Sequence, residues 1–169
     1  MKNKIKEILL KYDEYKIPVN VVSLAQKIGF SIIQQDLDYD GAMLIDNNKE
    51  FKIDNKPYNM LIIINNNQFY KRKIFTIAHE LGHYFNDFNN STEKIYAHRE
   101  ESNKFDKKEI EANNFASELL MPTELLKEFV NEIKKKYTDY YLITNAIESG
   151  FGVSHAAAEY RYDKLLRGE

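Results

Sequence analysis

Two histidines stand four residues apart in a segment whose apolar residues recur at helical spacing. The segment His79-Glu80-Leu81-Gly82-His83 lies within a run where Ile74, Ile77, Ala78, Leu81 and Phe85 recur with helical period. Residues four apart share one face of a helix, so both imidazoles point the same way. Both imidazoles can therefore reach the same cation. The pattern H-E-x-x-H suits a divalent cation held by His79 and His83. Glu80, turned about 100° from His79, then sits beside the cation and not on it. That is the position of a general base.

The rest of the composition limits how such a site can be completed. The 169 residues include no cysteine and four histidines, so any metal must be held by imidazoles and carboxylates. Zn²⁺ is the expected ion, and Mn²⁺ or Fe²⁺ also fits these ligand types. A third ligand is expected from the helix around 107–120, whose stripe is Ala112, Phe115, Ala116, Leu119 and Leu120. Glu111 lies at the edge of that stripe, where a carboxylate is costly unless paired or bound to metal. It is the first choice as ligand and Glu118 the second, while Glu109 points further toward solvent. Gly82 costs its helix about 1 kcal/mol relative to alanine, which implies close packing at that point.

The expected order of elements is helix, helix, strands, then helices. Helices are predicted over 3–15 and after Asn20, with Pro18 between them and Gly29 ending the second. Short strands are predicted at Phe30–Ile33, Ala42–Ile45, Phe51–Ile53 and Met60–Ile64. The H-E-x-x-H helix is predicted from an Asn67 N-cap to about Phe85. A polar surface loop over 86–107 follows, read as a lid or docking surface. The tail beyond Pro122 reads as three helices, about 123–136, 139–149 and 154–167, with Thr123, Thr138 and Ser154 as N-caps. These expectations divide the chain into a core over 1–122 and a helical subdomain over 123–169 packed on it. Residues 40–46 are read as an exposed strand edge that could take up an extended peptide.

Charge and hydropathy narrow the function classes. The 24 basic and 26 acidic residues give a net charge of −2, and the tail from 131 to 169 carries six of each. Such a balance argues against direct nucleic-acid binding as the role, since phosphate neutralisation needs a net basic face. The longest apolar run, Met60 to Ile64, is far too short to span a membrane, and the apolar stretch at the amino terminus is too short for a secretory signal. The expected location is the cytoplasm, with no membrane partner.

Two blocks together carry a resemblance. Phe75-Thr76-Ile77-Ala78-His79-Glu80-Leu81-Gly82-His83-Tyr84-Phe85, followed by Glu111-Ala112-Asn113-Asn114-Phe115-Ala116-Ser117-Glu118-Leu119-Leu120-Met121-Pro122, resembles the ImmA/IrrE family of metallo-endopeptidases. Ile17-Pro18-Val19 with Leu24–Gly29, and Val153–Ala158 with Arg161, are similar to its opening and closing helices. The resemblance implies an α+β fold: a compact zincin-like core with a small, mostly antiparallel sheet and an H-E-x-x-H active-site helix, then a helical C-terminal tail. It implies His79, His83 and Glu111 as metal ligands and Glu80 as the catalytic carboxylate. It also implies a zinc-dependent intracellular endopeptidase whose protein substrate is a helix-turn-helix repressor controlling a mobile element or stress response. Many glutamate-zincins place an Asp four residues after the glutamate ligand to orient a histidine. Counted from Glu111 that position is Phe115, so Asn113, Asn114, Asp87 or a backbone carbonyl must serve instead. His155, Tyr160, Arg161 and the tyrosines near the motif are candidates to stabilise an oxyanion. The competing reading is a regulatory or antitoxin-like protein that binds its partner without cutting it, around a structural metal.

Overall fold

A computed structural model of the chain describes residues 1–88, 95–98 and 106–168. The order of elements is α1 (Lys2–Lys11), α2 (Val21–Ile28), β1 (Ser31–Gln35), β2 (Gly41–Ile45), β3 (Lys52–Ile53), β4 (Lys56–Pro57) and β5 (Met60–Asn65). Then come α3 (Tyr70–His83), a π-helical turn over Tyr84–Phe88, β6 (Ile95–His98), α4 (Lys107–Leu120), α5 (Thr123–Lys134), α6 (Tyr140–Phe151) and α7 (His155–Leu166). The architecture is mixed α+β, with small sheets and seven α-helices among the described residues.

The chain divides into two compact units, Val21–Ala116 and Met1–Asn20 with Ser117–Glu169. In this grouping α1 goes with the tail and one boundary lies inside α4. The first unit holds a four-stranded sheet of order β1-β5-β2-β6. β5 runs parallel to β1 and antiparallel to β2, and β2 runs antiparallel to β6. Two of three pairings are antiparallel, as expected. β2 is buried at all five residues and β5 at its four central ones, so both strands are covered on both faces. This explains why Met60–Ile64 reads as a continuous apolar run instead of an alternating one. α3 packs on β2 and β5, and α2 packs on α3 and β1. Elsewhere on the sheet, Leu44, Leu61 and Ile63 are covered by Ile33, Leu37, Phe51, Ile53 and Tyr58, with Phe51, Ile53 and Tyr58 supplied by the β3–β4 hairpin and its flanks.

The predicted edge over 40–46 is not an edge. β2 pairs with β6 through Ala42↔His98 to Ile45↔Ile95, so its free side is taken by the chain's own strand. That strand lies inside the stretch expected to be a surface loop, as do the last three residues of the π turn. The remainder of the stretch, 89–94 and 99–105, lies outside the described residues.

Helix starts differ from expectation in an instructive way. α3 begins at Tyr70 with Phe69 as N-cap, not at Asn67. The Asn65 side chain donates to the Leu37 and Tyr39 carbonyls and accepts from the Asn67 amide, so this Asn cluster closes a turn at the end of β5. In the second unit, Asp139 caps α6 by accepting from the Leu142 amide, in place of Thr138. Ser154 caps α7 as expected, accepting from Ala157.

Candidate metal centre

α3 carries His79, Glu80 and His83, all buried, because its inner face is pressed against the sheet. The start of β2 lies against this helix. A Cβ at Gly41 would stand 2.5 Å from Thr76 Cγ2, 2.9 Å from the Ile63 carbonyl oxygen and 3.8 Å from Glu80 Oε1. Only glycine lets the strand approach this closely, and the approach sets the Glu80 carboxylate beside the β2 backbone.

The other side of α3 meets α4. A Cβ at Gly82 would lie 3.0 Å from both the Cα and the carbonyl oxygen of Ala112. The packing inferred from this glycine is thus a helix crossing, with Phe85 stacked on Phe115 nearby at 5.7 Å. The crossing organises the site. His79 lies three residues before Gly82 and His83 one after; Glu109 lies three before Ala112 and Asn113 one after. At about 100° per residue, the first of each pair is turned about 60° from the contact and the second about 100°, in the same direction. The two pairs come together on one side of the crossing. Glu111 is turned about 100° the other way.

The distances follow that geometry. Glu109 Oε1 is 3.0 Å from His83 Nε2 and Glu109 Oε2 is 3.2 Å from His79 Nε2. The two Nε2 atoms are 3.0 Å apart. Ligands held about 2.0–2.1 Å from a tetrahedral ion stand about 3.3 Å from one another, so two imidazoles and one carboxylate are arranged as three corners of a cation site. His79, His83 and Glu109 are the residues whose ligand atoms converge in this way among the described residues. Glu111, named from the sequence as third ligand, is not with them. Its side chain is 43% exposed and pairs with Lys107 at 3.7 Å, whereas that of Glu109 is 14% exposed. The correction is one of helix phase: the apolar stripe marks the buried side of α4, but the site forms on the opposite flank of the Ala112 contact.

Four residues after Glu109 comes Asn113, whose Oδ1 is 3.0 Å from His79 Nδ1. His83 Nδ1 faces Asp87 Oδ2 at 3.5 Å, from the π turn that follows α3. Burial and the adjacent His79 lower the pKa of His83 below its ordinary value, opposed by Glu109 and Asp87. Acidification therefore has to go further than usual before His83 is protonated, and its neutral, ligand-competent form prevails at neutral pH.

Other candidates are engaged elsewhere. Glu118 is buried, accepts from the Thr123 amide at 2.8 Å and from Thr123 Oγ1 at 2.9 Å, and pairs with Arg161 at 2.8 Å. It is a structural buried ion pair within its own unit, and it accounts for both Thr123 and Arg161. His155 lies between Glu148 and Glu159 at 3.1 and 3.4 Å, and the Lys164 ammonium sits over the Tyr160 ring. His98 is in β6, and its side chain lies outside the described residues.

Gly82→Ala tests the crossing. The added methyl meets backbone, which cannot rotate away, and overpacking of this kind costs about 1–3 kcal/mol. The expected result is a lower melting temperature with weakened zinc binding, read by thermal denaturation with and without zinc.

No helix among the described residues is long and apolar enough to cross a membrane. No curated protein matches the chain significantly. The family model described as Peptidase_M78, IrrE N-terminal-like domain, matches residues 40–163, a span that runs from the Asp40-Gly41 approach through α3 and α4 and into α7, and the chain belongs to this metallopeptidase family.

Proposed function

We propose that the protein is a zinc-dependent endopeptidase acting inside the cell, with His79, His83 and Glu109 as metal ligands and Glu80 as general base. The observation that carries the reading is the convergence of two imidazole nitrogens and one carboxylate within 3.0–3.2 Å, on two helices that cross at a glycine. Three acceptors this close repel one another unless a cation or proton lies among them, which fits a divalent metal. When bound, that ion supplies a Lewis acid for a peptide carbonyl and makes water more acidic. Glu80 takes the proton from the attacking water and delivers it to the leaving amine. Its burial, at 1% exposure, keeps bulk water from competing for that proton.

The proposed substrate is a helix-turn-helix repressor, and the proposed role is control of a mobile element or stress response. This follows from the family resemblance, and the near-neutral net charge fits a protease that recognises a DNA-binding protein over one that binds DNA. The test is to incubate the zinc-loaded protein with the repressor encoded beside it and to follow cleavage by mass spectrometry. A discrete cut that a chelator abolishes is expected. A stable, uncut complex with zinc present would favour the binding-only role instead.

A further inference from the structure

The face of α3 that carries the two histidines does not end at them. At about 100° per residue, Arg72, Phe75 and His83 all lie within about 40° of His79, so the four form one stripe. The buried run of α3 starts at Thr76 and continues to His83. Phe75 is half-buried and Arg72 exposed, so the stripe emerges from the interior at the Phe75 ring. The ring centroid lies 6.5 Å from that of His79. Phe75 precedes His79 by one turn, about 5.4 Å along the axis, on the side away from His83.

The ring is also held in place. The Arg72 guanidinium lies 5.7 Å from the Phe75 centroid and pairs with the Asp40 carboxylate. Gln68 donates to the other Asp40 oxygen and accepts from Thr76 Oγ1. Asp40 precedes Gly41, where the start of β2 comes close to Glu80. One network therefore fixes both the aromatic ring and the strand start against the same helix. The Asp40 carboxylate answers the charge of Arg72, so what this end of the stripe offers is mainly apolar surface.

We propose that Phe75 is a specificity-determining residue: its ring is the wall against which the protein seats a large apolar side chain of the substrate, one or two residues from the scissile bond. This rests on the metallopeptidase reading of the site. Residues of a peptide advance at most about 3.3–3.6 Å each, so a ring one turn from His79 is within two residues of a bond held at the cation site. A phenyl ring offers area and ring contacts but no hydrogen bond, so it selects for size and hydrophobicity. A ring already fixed loses little freedom when the substrate arrives, which favours affinity.

Two small hydroxamates, titrated into the whole zinc-loaded protein, test this. Acetohydroxamate and phenylacetohydroxamate share the group that binds a metal and differ by one phenyl ring. Calorimetry is expected to show the second about tenfold tighter in the wild type, the gain from partly withdrawing an arm of that size from water. Phe75→Ala is expected to bring the two within about twofold, with zinc content and acetohydroxamate affinity unchanged. Phe75→Leu, which keeps an apolar side chain, is expected to keep part of the preference. In the wild type, NOEs between the phenyl protons of the ligand and the Phe75 ring are expected, a readout that needs no variant to fold. Equal affinities in the wild type, absence of those NOEs, or a preference that Phe75→Ala leaves intact would overturn the proposal. Failure of both hydroxamates to bind would strike the metal reading itself, and the proposed wall with it.

Discussion

Glu80→Gln is expected to keep its zinc and lose its cleavage. Glutamine has the shape of the carboxylate but cannot take a proton, and removing a general base costs about 10²–10⁴ in rate. Glu80 lies beside Gly41 and is not among the residues whose ligand atoms converge, so the ligand set is untouched by the change. The substitution also keeps the shape of the side chain at this buried position. Metal content by mass spectrometry and repressor cleavage by gel, run on the same preparation, check both halves. A variant that still cut at the wild-type rate would remove Glu80 from the mechanism.

Glu109→Ala and Glu111→Ala are expected to separate sharply. Losing a group that merely orients a ligand costs about 10–100-fold in affinity, so losing the carboxylate that meets both histidines should exceed about 100-fold. Glu111 is half exposed and its partner Lys107 is more exposed still, an arrangement worth at most a few tenths of a kcal/mol. Its removal should leave zinc affinity unchanged within about twofold. Competition titrations on the two variants read the difference. The reverse pattern would restore the assignment made from the sequence.

The contrast shows how far the sequence could be read. The α4 boundaries and the presence of close packing at Gly82 both followed from period and composition, because each is written in one helix. The choice between Glu109 and Glu111 depends on where two helices cross. Periodicity gave the buried stripe of α4 but not the point of closest approach, and a carboxylate at the stripe's edge looked better than one turned outward. The spacing held a usable signal: His79, Gly82 and His83 repeat as Glu109, Ala112 and Asn113, with small residues at the centre of both triplets. Counted from Glu109, the residue four positions on is Asn113, whose Oδ1 lies 3.0 Å from His79 Nδ1, whereas counted from Glu111 it is the apolar Phe115. β6 was missed for a different reason. Ile95–His98 is only four residues long within a polar stretch, and its pairing with β2 is long-range, so β2 read as an edge.

The central claim is that one divalent ion sits between His79, His83 and Glu109. Anomalous diffraction at the zinc edge, on crystals of zinc-loaded protein, tests it most directly. One strong peak is expected about 2.0–2.2 Å from both Nε2 atoms and from a Glu109 oxygen. A peak held by Glu111, or none near the two histidines, would contradict the account.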